Sequence, residues 1–92
     1  MHFLVVATDG TDADAPARRA RARPAHVAVI QQLKEAGHFT LGGHTLDASE
    51  RIIGSAVIFD FPSRAELDAY LAREPYAVQG VWQHVTVTRI NL

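Results

Sequence analysis

His26 is the residue of this chain best suited to move protons, because imidazole titrates close to neutral pH. It shares one face of a predicted helix with Val29, Ile30 and Leu33, at the spacings of three and four residues that align helical side chains. Burial lowers the affinity of an imidazole for a proton, and a nearby carboxylate raises it. A histidine on this face is therefore a candidate general base. The alternative is a core or interface histidine that donates one hydrogen bond.

A cluster of four arginines precedes His26. Its members are Arg18, Arg19, Arg21 and Arg23. A guanidinium group binds planar anions through parallel hydrogen bonds, so the cluster is a candidate binding site for an anionic ligand. A run of charges is also typical of a solvated helix start or loop, and the sequence leaves both interpretations open.

The histidines were also considered as metal ligands. His44 follows a Gly-Gly pair, and His2 and His84 lie in predicted strands. No two histidines have the H-x-x-x-H spacing or a comparable one, and the chain contains no cysteine. The sequence therefore predicts no metal site and no disulfide.

Four segments have the composition of β-strands. They are residues 2–8, 39–43, 52–61 and 80–90. In the last strand Val81, Val85 and Val87 alternate with polar residues, so they are predicted to share one face. The same period of two places Trp82 and His84 together on the opposite face.

The first helix is predicted over residues 24–36. Proline is tolerated in a first helical turn, and Gly37 suits the left-handed residue that ends a helix. Pro24 also disfavours a helical conformation at Arg23. The arginine-rich segment is therefore predicted to be a separate helical turn.

The second helix has a clear start signal. Ser63 and Glu66 form an S-x-x-E capping box, and Pro75 ends the apolar periodic segment. The resulting order of elements is β-α-β-β-α-β, the split pattern of a ferredoxin-like α+β fold with a four-stranded antiparallel sheet.

Two helices of this length cover only one face of the sheet. The other face, on which Trp82 is predicted, would be solvated in a monomer. Exposed apolar area of that size usually marks an interface. We therefore predict a homodimer that packs the two sheets face to face.

Size and composition exclude several classes of protein. Ninety-two residues allow one core, so we expect one domain over residues 1–92. The chain contains no apolar run long enough to predict a membrane span. The apolar segment at residues 3–7 is not preceded by the basic residues of a signal peptide, so we expect a cytoplasmic protein. A net charge of −1 gives no general reason to expect nucleic-acid binding.

Several short segments together resemble the YCII-related domain family. They are Arg23-x-x-His26, Gly37, Gly42-Gly43, Glu74-Pro75-Tyr76 and Gly80-Val81-Trp82. The family shows an R-x-x-H helix, a small G-G or G-P turn and a D-P-Y segment before the last strand, and it often carries an aspartate where Asp9 stands. The resemblance spans essentially the whole chain and depends on the order and spacing of these segments.

The resemblance implies both a fold and an activity. Family members are dimeric α/β barrels of ferredoxin-like protomers, and they carry a His–Asp pair in a pocket that is proposed as a general acid–base site. Relatives in the wider fold group include muconolactone-isomerase-like enzymes, dehydrochlorinases acting on hydroxylated rings and cofactor-free monooxygenases. The resemblance therefore implies cofactor-free proton transfer on a small, activated, ring-derived molecule.

The resemblance also assigns roles to residues of this chain. His26 matches the family histidine, Arg23 the arginine before it, and Tyr76 the tyrosine of the D-P-Y segment. Glu74 departs from the family pattern, since aspartate is usual there, and its extra methylene extends its reach by roughly 1.5 Å. Asp9 is the second carboxylate that could pair with His26, and the sequence does not decide between the two.

Further residues are candidates for contact with a substrate. Arg23 and Arg19 could hold an anionic group, and the backbone N–H groups of Gly42 and Gly43 could approach a ligand closely. The alternative for the glycines is a turn between strands. Trp82 is predicted at the dimer interface or in a pocket wall.

Two functional hypotheses follow. The first is a small cofactor-free enzyme that performs acid–base isomerisation, elimination or hydrolysis with His26 and a carboxylate partner. The second is a domain that binds a small ligand or a partner protein without chemistry, which the change to Glu74 favours. The first hypothesis loses its mechanism if neither Asp9 nor Glu74 lies within hydrogen-bonding reach of His26.

Overall fold

The computed structural model describes all 92 residues as one antiparallel sheet with helices packed on one face. The strands are β1 (His2–Asp9), β2 (Phe39–Leu46), β3 (Ile52–Asp60) and β4 (Trp82–Ile90). The helices are α1 (Ala15–Glu35), α2 (Arg64–Leu71) and α3 (Pro75–Val78). Along the sheet the strands are ordered β2-β3-β1-β4, so the two central strands β1 and β3 are not consecutive in the chain. This is the predicted ferredoxin-like arrangement.

The main core lies between the sheet and the helices α1 and α2. Alternate residues of β1 are buried there, as the period of two requires, and they meet β3 side chains of the same face. The fully or largely buried members of this core are Phe3, Val5, Leu33, Val57, Phe59, Phe61, Leu67 and Tyr70. The C-terminal half of α1 contributes Leu33 to this core, with Val29 and Ile30 packed against it, so the core fixes this half of α1 on the sheet.

The helix α1 begins nine residues earlier than the sequence predicted, and the prediction of a separate turn before Pro24 is wrong. The helix is continuous from Ala15 to Glu35 and contains Pro24 in its interior. An interior proline removes one helical hydrogen bond and costs about 3 kcal/mol. Tertiary contacts of the N-terminal half offset that cost, because Ala15, Arg19 and Ala22 are buried.

Arg18 ties the start of α1 to the rest of the fold. Its Nε donates a hydrogen bond of 3.1 Å to the carbonyl of Gly80, and its two terminal nitrogens bind the carboxylate of Asp12 at 3.1 and 2.8 Å. The guanidinium group lowers the pKa of the Asp12 carboxyl, since it stabilises the ionised form. The arginine-rich segment is thus held by specific contacts rather than solvated along its whole length.

The helix α2 starts as predicted, and a short helix follows it. Ser63 is the N-cap of α2 and its hydroxyl accepts the backbone N–H of Glu66 at 3.2 Å. The sequence pattern does not predict α3, a single turn that begins at Pro75 and has Glu74 as its N-cap. Proline in the first helical position is the signal that marks this turn.

A bulge in β4 reverses the predicted orientation of Trp82. Thr8 pairs with His84 and Asp9 pairs with Trp82, so Gln83 is an extra residue in the ladder. One extra residue moves every following side chain to the other face. Trp82 therefore lies on the helical side, buried against Ala22, and not on the open face with His84.

Most of the sheet face opposite the helices is solvated, and no element of the chain covers it. The strand β2 is longer than predicted and runs to Leu46. In the open face the central side chains Leu4, Val6 and Ile58 are half-buried by their neighbours, while Leu41 is 67% exposed. An apolar centre is thus available on this face.

Candidate active site

The carboxylate of Glu74 is the most deeply buried charged group of the site, with no exposed surface. It is positioned by the turn before α3, where its side chain accepts the backbone N–H of Tyr76 at 3.2 Å. The Tyr70 hydroxyl donates to its other oxygen, and the two side chains lie one helical turn apart in sequence. A buried carboxylate needs such donors, because it has lost its hydration.

His26 lies against this carboxylate. Its Nδ1 is 2.5 Å from Oε1 of Glu74, and its side chain is 15% exposed. Because a carboxylate can only accept hydrogen bonds, Nδ1 carries the hydrogen and Nε2 is the ring nitrogen left for a ligand. The ring also stacks on Tyr76, with centroids 3.9 Å apart and an angle of 11° between the planes, and meets the edge of Trp82.

Asp9, the alternative partner that the sequence left open, does not contact His26. Both of its oxygens bind Arg19, at 2.6 Å to Nε and 3.1 Å to Nη2. The same Nη2 donates to the hydroxyl of Ser55 at 3.1 Å, and the guanidinium lies 4.6 Å from the centroid of the Tyr76 ring. Arg19 and Asp9 therefore form a buried ion pair that spans α1, β1 and β3.

Three buried donors of this region have no partner within the protein. They are Nη1 of Arg19, the hydroxyl of Tyr76 and Nε1 of Trp82. All three side chains are more than nine-tenths buried. Because a buried donor without an acceptor costs about 1–3 kcal/mol, the group of three favours an oxygen-rich ligand or ordered water as its partner.

Two adjoining hollows lie beside this region, and of the three buried donors only Arg19 lines one of them. The His26 hollow has a volume of about 340 Å³, and its wall includes His26, Gly42, Gly43 and Ser55. The Arg19 hollow has a volume of about 670 Å³, and its wall includes Asp9, Arg19 and Arg51. Arg23 and His44 line both hollows and so separate them. Each hollow is of the size that takes a small ligand.

Arg23 and His44 are in contact across the shared wall. Nη1 of Arg23 lies 3.5 Å from Nε2 of His44, at the limit of hydrogen bonding. Partial removal of water from the ring lowers the pKa of His44, and the positive charges of Arg19 and Arg23 lower it further against an opposing effect of Asp9. His44 is therefore neutral at pH 7.

The two glycines differ in what they contribute. Gly42 pairs with Val57 and faces the helices, and a Cβ atom there would lie 2.9 Å from the Val57 side chain. Gly43 pairs with Ala56 on the open face, and a Cβ atom there would meet nothing within 4 Å. The absence of a side chain is thus needed at Gly42, in the floor of the His26 hollow.

The structure brings together most of the residues that the sequence singled out, and it adds three. His26 and Glu74 are in contact, Tyr76 and Trp82 pack beside them, and Arg19, Arg23 and Asp9 line the adjoining hollow. The additions are Tyr70, Ser55 and His44. Ser55 had a signal in the sequence, since it is the one hydroxyl within an apolar strand, and Tyr70 stands four residues before Glu74.

Comparison with known proteins identifies the family of this chain. The sequence profile of the YCII-related domain family matches residues 1–91. The chain belongs to the YCII-related family. Among its relatives are the protein YciI of Escherichia coli and that of Shigella flexneri, each 32% identical over 95% of this chain and 93% of the relative. The resemblance inferred from the short segments is confirmed.

Solved structures confirm the fold. The 5-chloro-2-hydroxyhydroquinone dehydrochlorinase of Burkholderia phenoliruptrix, in complex with 2,5-dihydroxybenzoquinone, superposes with a TM-score of 0.86 at 25% identity, over 99% of this chain and 94% of that one. A dimeric ferredoxin-like protein of unknown function from Jannaschia sp. superposes with a TM-score of 0.54 at 17% identity, over 99% and 98% of the two chains. The second similarity concerns the fold alone.

No three histidine, aspartate or glutamate side chains come together in a group that could hold a metal ion. No helix has the length and apolarity needed to pass through a bilayer.

Proposed function

We propose that this chain is an enzyme that moves a proton on a small, oxygen-substituted, ring-derived molecule, with His26 as the base and without a cofactor. The observation that carries the proposal is the contact of 2.5 Å between Nδ1 of His26 and the fully buried carboxylate of Glu74, at the edge of a hollow of ligand size. The longer side chain of Glu74 thus reaches the imidazole, in the place where the family usually has aspartate.

The chemistry follows from the two ring nitrogens of His26. Glu74 fixes the hydrogen on Nδ1, so the lone pair on Nε2 accepts a proton from a carbon or hydroxyl group next to a carbonyl. The imidazolium formed in this step is stabilised by the carboxylate, as in other histidine–carboxylate pairs. Return of the proton to another atom gives isomerisation, and departure of a leaving group gives elimination. If Nε2 instead takes its proton from a water molecule, the hydroxide formed attacks the carbonyl carbon, and hydrolysis results.

The charges around the two hollows favour an anionic ligand. Arg23, Arg51 and Lys34 line them without a carboxylate partner. Asp9 is neutralised by Arg19, and Asp12 by Arg18. The unbalanced positive charge would attract a carboxylate or phenolate, and the planar guanidinium group of Arg23 can donate hydrogen bonds to either group.

The similarity to a dehydrochlorinase supports a hydroxylated ring as the substrate class. That protein is named for its action on 5-chloro-2-hydroxyhydroquinone and was solved with 2,5-dihydroxybenzoquinone. Both molecules are small and carry several oxygen substituents on a ring. We infer that the site described here takes a ring of the same general kind, with the reacting carbon next to His26.

The proposal is tested by offering the purified protein 5-chloro-2-hydroxyhydroquinone and a panel of enolisable hydroxyquinones in D₂O. Chloride release and solvent-deuterium incorporation are measured for the wild type, His26→Ala, Glu74→Gln and, as a matched control, Glu35→Gln. Glu35 is exposed at the end of α1, so its substitution removes the same charge away from the site. We expect losses of about 10²- to 10⁴-fold for the first two variants, the range typical of general acid–base catalysis, and none for the control.

The result that would overturn the proposal is equally specific. If His26→Ala exchanges deuterium at the wild-type rate, His26 is not the base. If no member of the panel reacts faster than in buffer but several bind, the domain binds small molecules without chemistry. Circular dichroism of each variant checks that a loss of rate is not a loss of fold.

We also propose that the protein is a homodimer formed through the open face of the sheet. Leu4, Val6 and Ile58 form an apolar centre there, and no element of the chain covers it. A similar fold from Jannaschia sp. is described as dimeric. Sheet-to-sheet packing would bury this apolar centre, while the two hollows lie on the helical side.

A further inference from the structure

We propose that His44 is the neutral hydrogen-bond donor that binds the substrate oxygen on which negative charge develops when His26 removes a proton. This inference rests on the proposed function, since it concerns the second half of the same step. It adds a residue to which neither the sequence patterns nor the family resemblance assigns a role.

The position of His44 is the first argument. It pairs with Ser55 in the sheet, and Ser55 is buried on the helical side. The side chain of His44 therefore points toward α1, where it contacts Arg23, and it lines the same hollow as His26. Both imidazole rings are thus available to a small molecule in this hollow.

The partners of the two rings are the second argument. His26 donates its Nδ1–H to the carboxylate of Glu74, so its Nε2 has a free lone pair. His44 contacts the guanidinium of Arg23, which disfavours a positive charge on its ring. One ring is thus arranged to accept a proton, and the other to act as a neutral hydrogen-bond donor.

The contact with Arg23 also selects the tautomer of His44. A guanidinium group can only donate, so Nε2 of His44 accepts, and the hydrogen of the neutral ring is on Nδ1. The other charged or titratable groups that act on the ring are Arg19, His26 and Asp9. Arg51 lines the adjoining hollow. Partial loss of hydration lowers the pKa of the ring, and the positive groups, which outnumber the single carboxylate, lower it further, so both favour the uncharged ring.

The proposed step balances without a further reactant. The C–H bond next to a carbonyl breaks, and its proton goes to Nε2 of His26. Its electron pair forms a C=C bond to the carbonyl carbon, and the π pair of the carbonyl moves to the oxygen. That oxygen accepts the Nδ1–H of His44 and becomes more negative, while His44 keeps its proton. A neutral imidazole serves here as a donor, as is known for other enolising enzymes. The site would thus select substrates with an oxygen on the carbon beside the reacting one.

Nuclear magnetic resonance of the imidazole nitrogens tests the tautomer without requiring any activity. We expect His44 of the wild type to titrate below the ordinary histidine value of about 6.5 and to carry its hydrogen on Nδ1 when neutral. In Arg23→Met, which keeps the length and removes the charge, the titration should move upward and the hydrogen should shift to Nε2. A wild-type ring that is protonated at neutral pH, or that carries its hydrogen on Nε2, would overturn the proposal.

A binding and exchange experiment tests the role itself, with 2,5-dihydroxybenzoquinone as the binding probe. His44→Phe keeps a ring but has no donor, and we expect its affinity to fall about 10- to 100-fold, as for a lost hydrogen bond to a charged group. His44→Gln retains an N–H donor and should restore most of the affinity. Unchanged affinity in His44→Phe would refute the assignment.

Deuterium exchange in the same variants separates the two proposals. If exchange depends on His26 but not on His44, the His44 inference fails and the proposed function stands. If exchange depends on neither residue, the proposed function fails, and the resonance data still report on the tautomer.

Discussion

Glu74 shows how the chain keeps a negative charge where water cannot reach it. The carboxylate has no exposed surface and accepts hydrogen bonds from a phenol, an imidazole and a backbone amide. Loss of one donor would leave an acceptor unsatisfied, which is costly in a buried site. The two side-chain donors therefore differ in exposure. Tyr70 is buried in the core, whereas His26 also borders the hollow.

Tyr70 should make the stability of the fold fall in alkaline solution. Burial, followed by the charge of Glu74, raises the pKa of this phenol above its ordinary value. Above about pH 10 the unfolded chain loses the phenol proton while the folded chain keeps it, so folding is disfavoured by up to about 1.4 kcal/mol per pH unit. Urea denaturation from pH 8 to 11 should show this fall in the wild type.

Tyr70→Phe is the matched variant for that measurement. It should be less stable than the wild type at pH 8 by about 2 kcal/mol, because a hydrogen bond to a buried charge is lost. The difference should shrink as the pH rises past 10, since only the wild type carries the alkaline penalty. Stability curves that run parallel from pH 8 to 11 would contradict this account.

The sequence could locate the base of the site but not its partner. The spacing with Val29, Ile30 and Leu33 placed His26 on a half-buried face, where the structure has it. Whether Asp9 or Glu74 meets the imidazole depends on the docking of α1 against α3 and β1, which no local pattern records. His44 was weighed only as a metal ligand, because its contact with Arg23 is a tertiary one.

At the scale of elements, α1 is the main case in which tertiary contacts override a local signal. The rule that proline ends or begins a helix placed the start at Pro24, yet the helix runs through it. Buried Ala15 and Ala22, the Arg19–Asp9 pair and the link from Arg18 to Gly80 all require the N-terminal half to be helical. The residue that marks the actual start of the helix is Pro16, because proline suits a first helical turn.

Pro24→Ala should therefore stabilise the protein. Alanine restores the helical hydrogen bond and removes the ring clash, which stabilises the fold by about 3 kcal/mol. Without proline the unfolded chain has more conformational entropy, which reduces this stabilisation by up to about 1 kcal/mol. A net gain of about 2 kcal/mol corresponds to a rise in Tm of roughly 10 °C. Calorimetry measures it. An unchanged or lower Tm would mean that the packing of α1 depends on the local geometry that Pro24 imposes.

The strand β4 shows a second limit of local patterns. Alternation over residues 80–90 is regular, and it predicted the face of His84 and the exposed threonines correctly. The bulge at Gln83 lies between Trp82 and that regular part, so the side chain of Trp82 turned to the helices and not to the open face. The position of the bulge depends on how β4 pairs with β1, and this pairing register cannot be derived from a single sequence.

The two glycines of β2 offer a matched pair of substitutions. Gly42→Ala places a methyl group against Val57 in the floor of the His26 hollow, so we expect a loss of about 1–3 kcal/mol in stability and weaker binding of 2,5-dihydroxybenzoquinone. The backbone of Gly43 also borders the hollow, but Gly43→Ala places its methyl group on the open face, where no atom of the chain lies within 4 Å, so we expect unchanged binding. Urea denaturation and ligand titration measure both effects. Equal behaviour of the two variants would show that the floor of the hollow is not used.

At the scale of the whole molecule, the one-sided arrangement of the helices has consequences for assembly. The helical side carries the core and both hollows, whereas the other side carries an apolar centre with no cover. A small domain without disulfides commonly gains stability by oligomerising. The same asymmetry allows a dimer to form without closing the entrance to the site.

Substitution of Ile58 should separate assembly from folding. Ile58 lies on the central strand β3, pairs with Leu4 and Leu41, and occupies the middle of the open face. A glutamate there would be solvated in a monomer but buried without a partner in a face-to-face dimer, a cost of several kcal/mol. Light scattering should give twice the chain mass of 10.1 kDa for the wild type and the chain mass for Ile58→Glu.

The control is Val78→Glu, which introduces the same charge at a residue that is 66% exposed on α3 and away from the open face. It should remain dimeric, and the circular dichroism of both variants should match that of the wild type. A wild type that is monomeric at micromolar concentration would contradict the dimer altogether. A dimer that survives Ile58→Glu would instead place the interface on another surface, because two buried glutamates related by symmetry would also repel each other.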